Sequence, residues 1–289
     1  MARAIERIEQ DIAALQEAIG AIAIELQSAY ASYLNTLGLA VRKQLILASY
    51  HLCTQGYPEN FLHLSLNQRQ QLQQATRKLG QLAAEQLLIY LKSEESQEDE
   101  VNEVDEVDEE DEVNEVDEEV TSSSSSLFFT SNSQYLTANT SDPTELAKWQ
   151  QKLEEAAQDI LKKLSHDANL LLQKAGVLPK KLPEPILAAA AAASEASAEV
   201  MPGPPNLLNL VIEIENEQQS EDSGLTQIMA INLRLGEIEF ADVTLSSERR
   251  QIRSILVKLN KLGREYKKRY KEKAIAEAEA AWRASWFED

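Results

Sequence analysis

Apolar side chains near the start of the chain recur at alternating spacings of three and four residues. This repeat is the one by which two helices pack in a coiled coil, and it is held for about three heptads. It predicts a long helix with an apolar seam that self-associates or binds a partner helix. The predicted partner-binding residues of the seam are Ile5, Ile8, Ile12, Leu15, Ile19, Ile22 and Leu26.

Further along, the apolar spacing approaches 3.6 residues, which is typical of a helix packed on a broader face. Gly56 and Pro58 should end this first helix. Ser65, with Gln68 three residues later, forms a capping-box signature for a second helix. Residues 1–92 are therefore predicted to be a helical hairpin or coiled coil. Because its arms are unequal, part of the first helix should project and seek a partner.

Residues 93–141 have the composition of a linker. Within them, residues 94–119 carry 17 acids and no base, including an acidic repeat at 101–118, and five serines follow at 122–126. Like charges repel, and little apolar surface is present to offset the entropy of ordering. We expect a disordered spacer, with an r.m.s. span on the order of 35–40 Å by random-coil scaling.

A second helical region should follow the linker. The residues at the predicted start of this helix suit its first positions. Asp142 supplies a side-chain hydrogen-bond acceptor, Pro143 has a preset φ, and Glu145 carries a negative charge that interacts favourably with the helix dipole. Residues 142–200 are predicted to hold this helix and an Ala/Pro-rich segment, in which the alanines at 188–193 favour a short helix.

Residues 201–289 are predicted to be a C-terminal helical unit. The spacing of Ile231, Leu233 and Leu235 suits a strand, whereas Ile228, Ile231, Leu235 and Ile238 suit a helix. We favour helix for 206–242, since a lone hairpin would have no sheet to join, and keep a short β-hairpin as the alternative. The fold class is thus mainly α.

The last helix is predicted to begin at Ser246 or Ser247 and to pack through residues 252–266, then to leave its core where Arg269 and Lys273 enter the seam. Its segment 249–273 is strongly basic. Such a helix neutralises phosphates or acidic protein surfaces, although most basic faces are simply solvated. The predicted polyanion-binding residues are Arg249, Arg250, Arg253, Lys267, Lys268, Arg269 and Lys271.

The segment AWRASWFED carries the sharpest interaction signal in the chain. Trp282 and Trp286 lie one helical turn apart beside Phe287, and Ile275 shares their face. Trp and Arg are enriched at binding hot spots. These aromatic residues must either fold back onto the chain's own helices or bury in a partner.

Enzyme chemistry has little support in the sequence. His51, Cys53 and His63 do not have zinc-ligand spacing, and no phosphate-binding loop, nucleophile elbow or HExxH motif occurs. Cys53, the single cysteine, is predicted to be a buried, inert thiol. We expect no enzyme activity, no cofactor and no metal. Without a disulfide or an apolar run of about 20 residues, a cytoplasmic location without a membrane span is expected.

Three segments, ASYLNTLGLAVRKQLILASYHLCTQGYPENFL, LRLGEIEFADVTLSSERRQIRSILVKLNKLGREYKK and AEAEAAWRASWFED, resemble a group of uncharacterised cyanobacterial proteins. In that group, similar N- and C-terminal regions flank a middle of different length and composition. The resemblance covers about half the chain. It implies a cyanobacterial cytoplasm and assigns no functional residue.

The sequence therefore predicts a non-enzymatic interaction or scaffold protein. Its coiled-coil seam and aromatic C-terminal helix would engage separate sites across the flexible acidic linker. The alternative is a nucleic-acid-associated regulator that uses the basic helix, with the acidic repeat shielding its bases as an electrostatic gate.

Overall fold

The computed structural model describes residues 2–92, 141–179, 189, 204–214 and 224–286. The predicted mainly α fold class is confirmed, and one two-stranded antiparallel sheet accompanies the helices described. The predicted linker at 93–140 and most of the alanine run lie outside the described residues. In chain order the elements are α1 (Ala2–His51), a π-helical turn (Leu52–Gly56), α2 (Pro58–His63), α3 (Leu66–Lys92), α4 (Pro143–Lys174), β1 (Leu207–Ile214), β2 (Gly224–Ile231), α5 (Leu235–Ala241) and α6 (Val243–Ala284).

Local signals in the sequence set several helix ends. The first long helix passes into the π-helical turn just before Pro58, which begins α2. At the start of α3, the Gln68 amide N–H donates to Ser65 Oγ at 3.3 Å, and the Ser65 N–H donates to Gln68 Oε1 at 2.8 Å. At the start of α4, Asp142 Oδ1 accepts from the Thr144 N–H at 2.8 Å. The predicted capping box and Asp142 cap are confirmed.

The second half of α1 packs against α3, which runs antiparallel to it. Glycines allow the two helices to approach closely. A Cβ placed on Gly38 would lie 2.9 Å from the Cβ of Ala84, and one on Gly80 would lie 3.4 Å from the Cα of Arg42. The predicted pairing of the first two long helices is therefore present, and its closeness depends on glycine.

The first half of α1 packs against α6, which also runs antiparallel to it. Gln16 Nε2 donates to Tyr266 OH at 3.4 Å, and Lys258 Nζ lies 3.3 Å from Glu25 Oε1. The expectation that this arm of α1 projects freely is wrong, because α6 of the same chain covers it. Four seam residues are buried (Ile12, Ile19, Ile22 and Leu26) and three are half-buried (Ile5, Ile8 and Leu15).

Charged residues extend the contact between α1 and α6 beyond the apolar seam. Arg269 Nη2 lies 3.6 Å from Asp11 Oδ2, and Lys273 Nζ lies 2.8 Å from Glu9 Oε1. As predicted, the apolar core of α6 ends at Tyr266, but the helix does not separate from α1 there. The helix continues along α1, with ion pairs in place of apolar packing.

The favoured helix for residues 206–242 is also wrong over most of its length. Residues 207–214 and 224–231 form the paired strands β1 and β2, in which Leu207 pairs with Ile231, and helix returns only at Leu235. The β-hairpin alternative is the one that the structure contains. The hairpin lacks further strands among the described residues, and it docks on helices instead.

Helix side chains satisfy the backbone of β2. The Asn169 amide of α4 both donates to the Ile231 carbonyl and accepts from the Ile231 N–H, each at 2.9 Å. Tyr57 OH likewise donates to the Met229 carbonyl at 3.2 Å and accepts from its N–H at 3.0 Å. These side chains take the place of a third strand, which is why a single hairpin is stable here.

Helix α6 begins earlier than its sequence signal indicates. Its N-cap is Asp242, whose Oδ1 accepts from the Thr244 N–H at 2.9 Å and the Leu245 N–H at 3.2 Å. Ser246 instead donates from its Oγ to the Glu239 carbonyl at 2.6 Å, tying α6 to α5. The predicted caps at Ser246 and Ser247 are therefore corrected to Asp242.

Two glycines of α1 provide a matched test of the close packing with α3. We expect Gly38→Ala to destabilise the fold by about 1–3 kcal/mol, because the new methyl group overlaps Ala84. A methyl group added at Gly20 would have no atom within 4 Å, so Gly20→Ala should stabilise by about 0.5–1 kcal/mol through helix propensity. Urea unfolding of both variants measures the difference. Stabilisation by both would contradict the close approach.

Candidate interaction surface

A partly buried charge cluster fixes the start of α6 against three other helices. Arg249 donates from Nε to Glu239 Oε1 at 2.7 Å and from Nη2 to Glu154 Oε2 at 3.0 Å, with a further hydrogen bond from Nη1 to Glu154 Oε1. Tyr30 OH donates to Glu154 and Tyr33 OH to Glu239, each at 2.6 Å. The cluster joins α1, α4, α5 and α6 at one point.

The cluster holds its groups in their expected charge states. Burial alone would raise the Glu154 pKa, but the hydrogen bonds from Arg249 and Tyr30 and the Arg249 charge bring it below its usual value. Burial raises the pKa of Tyr33, and hydrogen bonding to Glu239 adds to the rise, while the Arg249 charge opposes it. A permanent cation thus faces two carboxylates, with neutral tyrosines as donors.

The face of α6 opposite α1 is the candidate surface. At 3.6 residues per turn, the seam residues and the exposed residues of α6 lie roughly 160° apart around the helix. On the α1 side, Lys258 and Arg269 are engaged by Glu25 and Asp11. The exposed bases that remain form a line about 30 Å long, which we call the basic ridge: Arg250, Arg253, Lys261, Arg264, Lys267, Lys268 and Lys271.

The basic ridge has almost no internal charge neutralisation. Between Arg250 and Lys271 the sequence has nine bases and a single acid, Glu265. Among the described residues, Lys268 is the only ridge residue with an ion pair, at 4.0 Å from Glu272. Val257, which is 70% exposed, lies among these bases. The ridge is therefore a positively charged strip with an apolar side chain in it.

The end of α6 carries the predicted aromatic residues, and it leaves them uncovered. Trp282 is 67% exposed and Trp286 is 64% exposed, with ring centroids 6.0 Å apart. Ile275, on the same face, is 50% exposed. These three residues, which we call the aromatic tail, do not fold back onto the described helices. Phe287 lies outside the described residues.

The structure divides the predicted polyanion-binding residues into two groups. Arg249 lies in the buried cluster, and Arg269 forms ion pairs with Glu272 and Asp11, so both have structural contacts. The other five belong to the basic ridge. Sequence reasoning missed Lys261, Arg264 and Val257. Their angular positions around the helix, measured from the seam residues, would have placed them on the outer face. The predicted residues on the outer face are Arg250, Arg253, Lys267, Lys268 and Lys271.

The single cysteine, possible metal ligands and a surface groove lie away from the basic ridge or are not brought together. Cys53 is buried, and burial raises the pKa of its thiol to about 11. In the residues described, no group of three His, Cys, Asp or Glu side chains is placed to hold a metal. A groove between α3 and α4 is open to solvent, and it is lined by leucines together with Lys78, Asp167 and Lys174.

Comparison with known proteins gives no relative: no protein-family model, curated protein or solved structure matches the chain. Across the described residues, each helix is too short or too polar to span a bilayer. The function must therefore be argued from the surface of α6.

Adjacent arginines test whether the buried cluster fixes α6. We expect Arg249→Met to destabilise the fold by about 2–4 kcal/mol, because it leaves two partly buried carboxylates without their cation. Arg250→Met, the control on the exposed face, should change stability by no more than about 0.5 kcal/mol. Thermal and urea unfolding give the comparison. Equal small effects would show that the cluster does not hold α6 in place.

Proposed function

We propose that this protein is a non-enzymatic scaffold that binds acidic protein surfaces through the basic ridge of α6. The supporting observation is the line of seven exposed bases on the face turned away from α1, of which one has an ion pair within the described structure. The fold does not use these charges. Since α6 is held along its length by α1, the bases are presented on a rigid support.

The overall acidity of the chain does not oppose this proposal. The formal net charge is −20, but residues 94–119 hold 17 acids and no base, which leaves a net charge of −3 for the rest. Charges farther apart than about 10 Å are largely screened at 0.1 M salt. Among the described residues, a partner that approaches the ridge therefore meets the local positive charge.

The shape and composition of the ridge favour a protein partner. Val257 interrupts the bases, so an acidic segment with an apolar side chain at the matching position gains both charge contacts and apolar burial. A helix of about 20 residues would match the length of the ridge. The ridge thus selects an acidic, amphipathic helix in preference to a uniformly charged polymer.

The proposal moves the partner contacts away from the predicted seam. Residues 5–26 of α1 already pack against α6, and elements from both sides of residues 93–140 share one hydrophobic core. We therefore place binding on the outer face of α6 and not on two separately tethered ends. The tethering role predicted for residues 93–141 remains an inference from their composition.

Charge removal on the ridge tests the proposal. We expect the triple variant Arg250→Gln/Arg253→Gln/Arg264→Gln to bind a labelled, helical Glu/Leu peptide of about 20 residues roughly tenfold more weakly than the wild type. Each exposed ion pair contributes up to about 1 kcal/mol, so three lost pairs suffice for that change. Fluorescence anisotropy measures the binding, and the wild-type affinity should fall as salt rises.

The control for this experiment removes three exposed bases elsewhere: Lys43→Gln/Lys152→Gln/Lys163→Gln. It changes the net charge by the same amount and should leave peptide binding close to that of the wild type. Equal losses in both triple variants would show a general charge effect. No measurable binding of the peptide by the wild type would refute the proposal.

A second candidate function is nucleic-acid binding by the same ridge, with the acidic repeat competing for its bases through charge. It is favoured by the spacing of the exposed bases along one face, which suits phosphate contacts. On this hypothesis, deletion of residues 94–119 should tighten binding to a short DNA duplex at low salt. Electrophoretic mobility shifts measure the effect. Unchanged DNA binding would show that the acidic repeat does not compete with DNA for the ridge. Tighter binding of the Glu/Leu peptide than of DNA would favour the protein partner.

A further inference from the structure

The exposed side of α6 follows a seven-residue repeat. From Val243 to Trp282, positions seven residues apart alternate with positions four residues further on, like the a and d positions of a coiled coil. Every position of this repeat is exposed. We call these positions the outer stripe. The repeat is typical of a helix that packs a second helix along its length.

The buried seam of the same helix has the same period. Leu245, Ile252 and Leu259 are seven residues apart, and each follows a position of the outer stripe by two residues. This offset places the buried seam about 200° around the helix from the stripe. A straight α-helix drifts by about 20° per heptad from such a repeat, and a left-handed supercoil removes the drift. Packing of α1 on the seam therefore also keeps the outer stripe in line.

Four positions of the outer stripe are apolar, and the described elements leave them uncovered. Val243 is 85% exposed, and Val257, also exposed, follows it two heptads later. Ile275 and Trp282 are one heptad apart near the end of α6. The valines take a positions, where β-branched side chains favour a coiled coil of two strands. The stripe can therefore bury apolar side chains of a partner at both of its ends.

Bases occupy the middle of the outer stripe, and no position of the stripe is acidic. Two copies of α6 that overlap fully, in either direction, would place bases against bases. A helix with carboxylates at the facing positions would instead pair with them. The stripe thus favours an acidic helix and disfavours a second copy of itself. Its bases are Arg250, Lys261, Arg264, Lys268 and Lys271.

We propose that the partner of the basic ridge is one long acidic helix, which packs along α6 from Val243 to Trp282 as a coiled coil. Carboxylates of this helix face the five bases of the outer stripe, and its apolar side chains face the four apolar positions. The partner is about 40 residues and about 60 Å long. This inference rests on the proposed function and deepens it, because it assigns the length and the side-chain order of the partner.

The length of the stripe favours a long helix over a compact acidic surface. A globular partner touches only a few turns of a straight helix, whereas a helix with the same seven-residue repeat stays in contact throughout. Only an extended partner reaches both Val243 and Trp282 with the bases between them. Since α1 holds α6 as far as Lys273, little ordering of α6 opposes this contact.

Two helical peptides test the length and order of the partner. The first is the Glu/Leu peptide of about 20 residues, which spans the ridge alone. The second, of about 40 residues, places Glu opposite the five bases and Leu opposite the four apolar positions, and it is made in both chain directions. The better direction should bind roughly tenfold more tightly, or more, than the short peptide. A control of the same composition, with the four Leu exchanged for four of the facing Glu, should lose this gain. Fluorescence anisotropy measures the binding.

Changes in α6 test the apolar contacts. Val257→Ser/Ile275→Ser should weaken binding of the long peptide roughly tenfold, with unchanged circular dichroism because both side chains are exposed. The matched control, Ile24→Ser/Leu39→Ser, removes two exposed apolar side chains of α1 and should have no effect. Trp282→Ala should weaken binding of the long peptide and leave the short peptide unaffected, since the short peptide ends before the aromatic tail.

The two proposals fail in different ways. No binding of the short peptide would refute the proposed function and this inference with it. Binding of the short peptide, without a gain for the long one or with equal binding of the exchanged control, would overturn the long helix alone. Tighter binding to vesicles of anionic phospholipid than to the long peptide would also overturn it.

Discussion

The fold is organised around the guanidinium of Arg249, which lies between two partly buried carboxylates. Arg249 of α6 hydrogen-bonds Glu154 of α4 and Glu239 of α5, and two tyrosines of α1 complete the set of donors. Taking these charges out of water is costly, so such a cluster adds little net stability compared with apolar packing. Its effect is selective, because any other placement of α6 would leave buried charges unpaired. Apolar contacts between helices allow one helix to shift along the other, whereas this hydrogen-bonded network does not.

Because α6 has a fixed placement, its two faces have different roles. One face is fully occupied by α1, first through apolar residues such as Ile252 and Ile255 and then through ion pairs that end at Lys273. The other face carries bases and aromatic side chains that make almost no contacts with the rest of the described protein. Because the first face fixes the helix, the second is presented as a straight, ordered array. That division underlies the proposed scaffold role.

Much of the architecture follows from local sequence. The predictions that were wrong share one cause. Helix starts at Ser65 and Asp142 depend on neighbouring residues, so spacing alone predicts them. The pairing of strands 207–214 and 224–231 depends on distant side chains, Tyr57 and Asn169, that hydrogen-bond the backbone of β2, and no local pattern shows this. The same holds for the interaction surface: the sequence identified the bases, but only the packing of α1, α4 and α5 distinguishes Arg249 from its exposed neighbour Arg250.

The pairing of α1 with α6 also has a consequence for biosynthesis. The contact between Gln16 and Tyr266 joins residues 250 positions apart. At translation rates of about 5–20 residues per second, roughly 13–50 s pass before the ribosome delivers the covering helix. During that interval the nascent chain exposes an isoleucine-rich stripe that has no native contact. Loop closure over such a distance is slow, so folding is expected to be post-translational for this part of the molecule and to benefit from chaperones.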